Sequence, residues 1–310
     1  MSQLGLGMAA LGRPEYINIR TQPVVDTSIN GFKDNSFKVL DAAYAHGVRF
    51  FDTAPSYGKG ETFLKEWNSS RNYPDVALST KWGYTYVADW NLGYKGAHEI
   101  KEHSLEKLKE QWTFSQKLLP NLKVYQIHSA TFESAVLENE AVLDTLFYIK
   151  KSTGLKIGLT VSGVSQKAIL EAAFTLKREG ELLFDTYQLT FNIFEQSTAS
   201  IVEKIKAAGK FVIVKEGLAN GRIFLPNPAS KLLQELANYY NVGVDAIALR
   251  YCMDALKSDI VLSGAFSKEQ LLQNLKANEF RLADNEIELL SEYCVPEDDY
   301  WSQRTKMSWH

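Results

Sequence analysis

Arg49-Phe-Phe-Asp-Thr-Ala-Pro-Ser-Tyr-Gly-Lys-Gly-Glu61 reads as a buried strand that ends on a charge. Phe50 and Phe51 are core residues by type, Asp52 closes the run, and Tyr57 follows in a loop shaped by Pro55 and Gly58. An acid at a strand end beside a loop phenol is a candidate site. Taken alone, the same residues also describe a turn capped by Asp52 and a half-buried surface aromatic at Tyr57, so the flanking chain has to decide.

Outward from this stretch the chain alternates. Strands are predicted at Leu4–Leu6, Val48–Asp52, Val76–Lys81, Val124–His128, Lys156–Thr160, Tyr187–Leu189, Phe211–Val214 and Ile260–Leu262. Helices are predicted between them, at Phe37–His46, Glu61–Trp67, Ala97–Leu118, Ala141–Lys151, Gln166–Arg178, Ser200–Ala208, Ala229–Tyr240, Val244–Met253 and Lys268–Ala277. Unbroken strand and helix alternation argues for a parallel sheet, and eight units argue for a closed one. The expectation is therefore an α/β fold, a (β/α)8 TIM barrel occupying residues 1–310 as a single domain. Leu4-Gly-Leu-Gly-Met-Ala-Ala10 fits a loose GxGxxA pattern, but Gly12 and Pro14 break the chain at once and the segment to Asp34 reads as irregular. A first strand running into an active-site loop fits better. The tail from Asp284 is expected to add one helix and an aromatic end, Tyr300, Trp301 and Trp309, over the barrel mouth.

Composition excludes several classes. The net charge of −3, from 34 basic and 37 acidic residues, leaves no electrostatic footprint for nucleic acid or an anionic membrane. The start lacks a basic region followed by an apolar run, and no stretch approaches the ~20 apolar residues of a membrane span, so a cytoplasmic protein is expected. Cys252 and Cys294 stand apart without a CxxC spacing, and of the five histidines only His128 falls at a strand end, so no metal site is expected. That pattern speaks against a metal-dependent barrel isomerase or hydrolase. The partner is expected to be a small molecule and the protein a monomer or small homo-oligomer.

In a (β/α) barrel the chemistry sits at the carboxyl ends of the strands, where the βα loops converge. Asp52 ends the second predicted strand, Tyr57 lies in the loop after it, Lys81 ends the third and His128 the fourth. Consecutive strands are neighbours, so these side chains can meet. The flanks, Phe-Asp-Thr-Ala-Pro-Ser-Tyr-Gly around Asp52 and Tyr57, Ser-Thr-Lys-Trp-Gly around Lys81 and Tyr-Gln-Ile-His-Ser around His128, resemble the aldo-keto reductase family. The likeness runs from Leu4 to about Phe280. It implies a barrel that reduces a carbonyl, or oxidises the alcohol, by hydride exchange with a nicotinamide cofactor. Some barrels of this family instead serve as cofactor-sensing subunits, which is the rival reading.

Hydride delivery leaves charge on the carbonyl oxygen, which must gain a proton in or near the transition state. Tyr57 is the expected donor. An unperturbed phenol has a pKa near 10, so donation at neutral pH is expected to need a downward shift of about 3 units, roughly 4 kcal/mol. Lys81 is expected to supply part of it, Asp52 to keep Lys81 charged, and His128 to hydrogen-bond and orient the carbonyl oxygen.

The resemblance also implies cofactor contacts. Gln188 matches the glutamine that holds the nicotinamide amide, Phe191 occupies the position of the aromatic that stacks on the ring, and Thr160 is the expected partner after the fifth strand. The seventh loop, from Lys215 through Gly217, Leu218 and Gly221 to Arg222, should wrap the diphosphate with backbone N–H groups. Gly264, Ser267 and Lys268 lead into a helix whose N-terminus suits a phosphate, and Asn274 matches an adenine-contacting residue. Relatives that prefer NADP generally carry Arg or Lys where Phe266 or Gln270 stands, so Lys268 favours NADP only modestly over NAD. Trp82, Tyr84 and Trp301, with Tyr86, Trp90 and Trp309 nearby, are the expected substrate-side aromatics, suited to an apolar aldehyde or ketone or to the CH face of a sugar.

Overall fold

The computed structural model describes residues 2–19 and 26–308. Eight parallel strands close into a barrel: Gln3–Gly7, Phe50–Asp52, Ala77–Trp82, Leu122–Ile127, Lys156–Thr160, Thr186–Thr190, Phe211–Lys215 and Ile260–Ser263. Each strand pairs with its predecessor and successor in this series, and the eighth returns to the first through Gln3↔Ile260 and Leu6↔Ser263. The expected (β/α)8 TIM barrel is therefore the fold, and helices pack around it.

Strand side chains alternate between the lumen and the helices. Phe50, Val124, Ile213, Ile260 and Leu262 form one apolar cluster inside the barrel. Two residues further along their strands stand Asp52, Gln126 and Lys215, so the lumen turns from apolar to polar within one inward step. Phe51, Tyr125 and Ile127 have the opposite parity and belong to the larger core between strands and helices. Gly158 is required by the lumen, since a Cβ there would lie 1.8 Å from Thr186 Oγ1.

Four local expectations change. The first helix spans Ile29–Ala45 rather than starting at Phe37, because Ser28 caps it by accepting from Gly31 N–H at 3.0 Å. The long helix expected from Ala97 starts at Leu105, capped by Ser104, and Glu99–Lys101 instead pairs antiparallel with Tyr84–Tyr86. The helix expected to reach Arg178 ends at Thr175, and Lys177–Arg178 pairs with Glu181–Leu182. The tail holds two helices, Asp284–Ser291 and Glu297–Thr305, because Pro296 restarts the chain after the first. The second seats Tyr300 and Trp301 against Ala219 of the seventh loop. Trp309 lies outside the described residues.

Candidate active site

Asp52 and Lys81 meet at the carboxyl ends of the second and third strands. Both are buried, and Lys81 Nζ donates to Asp52 Oδ2 and, at 2.9 Å, to the Thr53 carbonyl oxygen. Asp52 Oδ1 accepts from Ser79 Oγ at 2.9 Å and from Gln188 Nε2 at 3.1 Å, and Gln126 Nε2 donates to Ser79 Oγ at 2.9 Å. Both carboxylate oxygens are thus fixed by a lumen network drawn from four strands. Removing one partner from such a buried pair typically costs about 3–5 kcal/mol, whereas replacing both together costs less.

Tyr57 is half-buried, with Lys81 Nζ 4.8 Å from its ring centroid. The ring of His128 stands edge-on to it at 5.6 Å, and Tyr84 lies 4.8 Å from His128 on another side. The four residues expected to converge do so. Their loop is locked by Gly12, whose carbonyl accepts from Lys59 N–H at 2.7 Å and whose Cβ would fall 2.2 Å from the Tyr57 carbonyl oxygen. Arg13, next to it, carries its guanidinium 5.3 Å from the Tyr57 ring and donates to Glu99 at 2.5 Å and to the Ser56 carbonyl oxygen at 3.2 Å. Nothing in the local sequence marked Arg13, because its partners lie 43 and 86 residues away.

The electrostatics overturn one expectation. Burial pushes the Tyr57 phenol well above its ordinary value of 10, the Asp52 carboxylate adds to the rise, and Arg13 opposes it. The net shift is upward, not the downward shift expected from Lys81, because burial and the Asp52 carboxylate outweigh the nearby cations. Lys81 itself is lowered by burial against the pull of Asp52. His128 is held well below 6.5 by burial and by Lys81, Lys215 and Arg13, so its ring is neutral.

A cleft of about 510 Å³ runs from Asp52 and Tyr57 past Gln188, Lys215, Gly217, Leu218 and Gly221 to Gly264 and Asn274. Gln188 Oε1 is buried without a hydrogen-bond partner among the described residues, and so is free to accept from an amide N–H. Glu216, Ala219 and Asn220 in the seventh loop have φ of 57°, 49° and 57°, left-handed values that non-glycine residues hold only where the surroundings impose them. A Cβ at Gly264 would meet nothing within 4 Å, so the backbone there is approachable. A cleft of this volume with an orphaned amide acceptor near its Tyr57 end fits a nicotinamide dinucleotide.

Other expected contacts are placed differently. Phe191 is core, parallel to Tyr251 at 5.9 Å, because it shares the outward parity of Leu189 rather than the inward one of Gln188. Thr160 is buried with its hydroxyl accepting from Ser129 N–H at 2.7 Å, and it does not line the cleft. Ser267 caps the helix Lys268–Leu275, accepting from Gln270 N–H at 3.2 Å, while Lys268 is exposed; neither lines the cleft, whereas Glu269, Gln270 and Gln273 do. Asn274 lines it with its amide already bonded to Asp245 at 2.6 Å and Ser263 at 2.7 Å. Trp82 is fully buried beside His103, and Trp301 is buried under the seventh loop, so of the three expected substrate-side aromatics only Tyr84 stands next to the site. Among the described residues no cluster of three or more His, Cys, Asp or Glu side chains could hold a metal, and no helix is long and apolar enough to cross a membrane.

Fold and site together define a (β/α)8 barrel with a buried Lys–Asp pair, a phenol and an imidazole gathered at the carboxyl ends of its strands. The model of the Aldo/keto reductase family matches residues 3–293, and the chain belongs to that family. It is 27% identical to a Saccharomyces cerevisiae protein named "Putative aryl-alcohol dehydrogenase AAD14", over 86% of this chain and 78% of that one. It is 24% identical to aldo-keto reductase ausK of Emericella nidulans, over 83% and 72%. Among solved structures it is similar to aldo-keto reductase AKR11C1 from Bacillus halodurans in its holo form, with a TM-score of 0.68 at 20% identity over 96% and 94% of the two chains. It is also similar to the glycerol dehydrogenase AKR11B4 from Gluconobacter oxydans, with a TM-score of 0.69 at 18% identity over 97% and 91%.

Proposed function

We propose that this chain interconverts a small carbonyl compound, an aldehyde, ketone or sugar, and its alcohol, with Tyr57, His128, Lys81 and Asp52 as the working residues. The observation that carries this reading is the convergence of a phenol, a neutral imidazole and a buried Lys–Asp pair at one end of a cleft that also holds an unpartnered amide oxygen on Gln188. When bound, the nicotinamide supplies or receives the hydride.

Tyr57 gives its proton to the oxygen of the reduced carbonyl. A phenol whose pKa is raised stays protonated at neutral pH, and an alkoxide is a stronger base than a phenolate, so the transfer runs toward the product. His128 Nδ1 stands 3.3 Å from Ser56 Oγ; with the hydroxyl donating to Nδ1, the neutral ring carries its proton on Nε2 and offers it to the carbonyl oxygen. Asp52 and Lys81 hold the floor of the site rigid and charge-balanced. Gln188 receives the carboxamide, and the backbone of Gly217 through Gly221 and at Gly264 receives the diphosphate.

At the far end, Lys268 favours a 2'-phosphate and the adjacent Glu269 opposes it. Both are exposed, where single charges are worth about 0–1 kcal/mol, so NADP and NAD are both taken, with discrimination below about tenfold. The test is a screen of aromatic aldehydes, aliphatic aldehydes, ketones and sugars, read by the absorbance of the reduced nicotinamide, with each cofactor in turn. Turnover of at least one carbonyl class is expected, and no turnover of any class with either cofactor would overturn the reading.

A further inference from the structure

We propose that the Lys215 side chain contacts the cofactor and makes the cleft bind the reduced, neutral nicotinamide in preference to the oxidised, cationic one. This rests on the nicotinamide-dependent reading above. Hydride and proton reach adjacent atoms of one carbonyl, so the nicotinamide has to lie at the Tyr57 end of the cleft. Gln188 and Lys215 line that end from neighbouring strands, paired through Gln188↔Ile213 and Thr190↔Lys215.

The ammonium is held in place but not neutralised. Lys215 Nζ donates to Ser162 Oγ at 2.8 Å and Thr190 Oγ1 at 2.7 Å, both uncharged. Its nearest carboxylate, Glu216, is 4.0 Å away and is taken at 2.9 Å by Arg304. Arg222 acts on the same carboxylate. One lysine and two arginines thus share a single acid, and the other nearby carboxylate, Asp52, is bound to Lys81. An oxidised nicotinamide brings a further positive charge into this region, whereas the dihydronicotinamide does not. In a partly buried site of effective dielectric near 20, a like charge a few residues' width away weakens binding on the order of tenfold or more.

The bias should respond to pH. Lys215 is pushed down to about 8, chiefly by burial, with Arg304 and Lys81 adding repulsion against the pull of Glu216 and Asp52. The ammonium, and the bias with it, is present below that value and lost as pH rises through it. Of the groups facing it, Glu216 is held near 2 and stays ionised, His128 stays neutral, and Tyr57 stays protonated. Lys81 is the other amine lowered by burial, and the test has to separate the two.

The experiment measures dissociation constants of reduced and oxidised cofactor, by quenching of protein fluorescence and by competition, at about pH 6.5 and about pH 9.5. It uses the full chain as wild type, Lys215→Met and Lys215→Arg. In the wild type the oxidised-to-reduced ratio is expected to fall roughly tenfold between the two pH values. Lys215→Met should show a low ratio at both, and Lys215→Arg, always charged, a high ratio at both. A Lys215→Met ratio within about twofold of wild type at the lower pH overturns the proposal, and so does a Lys215→Arg variant that keeps the pH dependence, which would assign it to Lys81. If neither cofactor binds the wild type, the nicotinamide reading itself falls, a result distinct from binding without bias.

Discussion

Replacing Tyr57 by Phe removes one hydroxyl and little else. Among the described residues that hydroxyl has no hydrogen-bond partner, while the ring keeps its edge contact with His128 at 5.6 Å and its place 4.8 Å from Lys81 Nζ and 5.3 Å from the Arg13 guanidinium. Stability should therefore change by no more than about 0.5 kcal/mol, and cofactor dissociation constants by less than about twofold. The loss falls on proton transfer. Positioned general acids contribute about 10²- to 10⁴-fold, so the barrier should rise by roughly 3–5 kcal/mol. The assay is single-turnover oxidation of pre-bound reduced cofactor on mixing with an aldehyde the wild type accepts, which separates the chemical step from product release. The wild-type pH profile carries the sign of the shift. Because the phenol is raised, the acid form persists through neutral and mildly alkaline pH, so reduction should be flat there and oxidation, which needs the phenolate, should rise with pH. A Tyr57→Phe variant that keeps more than about a tenth of the wild-type single-turnover rate would refute Tyr57 as the donor.

Two further outcomes follow from the same geometry. Asp52→Asn and Lys81→Met each leave a buried, charged partner behind, and each should lower the thermal midpoint on the order of 10 °C. The double variant should recover at least ~1 kcal/mol relative to the sum of the singles, and strict additivity would show the pair to be uncoupled. At the adenosine end, Lys268→Ala should weaken NADP several-fold and Glu269→Gln strengthen it by a similar factor, both with NAD unchanged and both fading as salt rises. Equal effects on the two cofactors would place the 2'-phosphate elsewhere.

The barrel was legible because its signal is repetitive. Eight short apolar runs separated by helical patterns leave few topologies, and consecutive parallel strands close in order. Boundaries were weaker where a local cap or a short hairpin overrode periodicity. Ser104 is a visible N-cap residue, and it marks the helix start that the charged run from Ala97 obscured. The convergence of the four proposed working residues was legible for a physical reason too, since Asp52, Lys81 and His128 fall at strand ends and Tyr57 in the loop between. Arg13, Ser79 and Gln126 were not, since each acts through a partner tens of residues away in sequence, and only closure of the barrel brings them together.

Two of the aromatics placed away from the cleft share a cause that strand parity explains. Within a barrel strand, the alternation that turns Lys81 inward turns Trp82 outward, and the alternation that turns Gln188 inward turns Phe191 outward. Both aromatics are accordingly packed among helices and neither meets the cleft. The same parity carries Lys215 inward, two residues beyond the apolar Ile213. A reading based on the loop alone treats Lys215 as backbone for a diphosphate; a reading based on the strand treats it as a lumen side chain opposite Thr190, one inward step beyond Gln188. The two differ over one cation, and the proposed preference for the reduced nicotinamide turns on it.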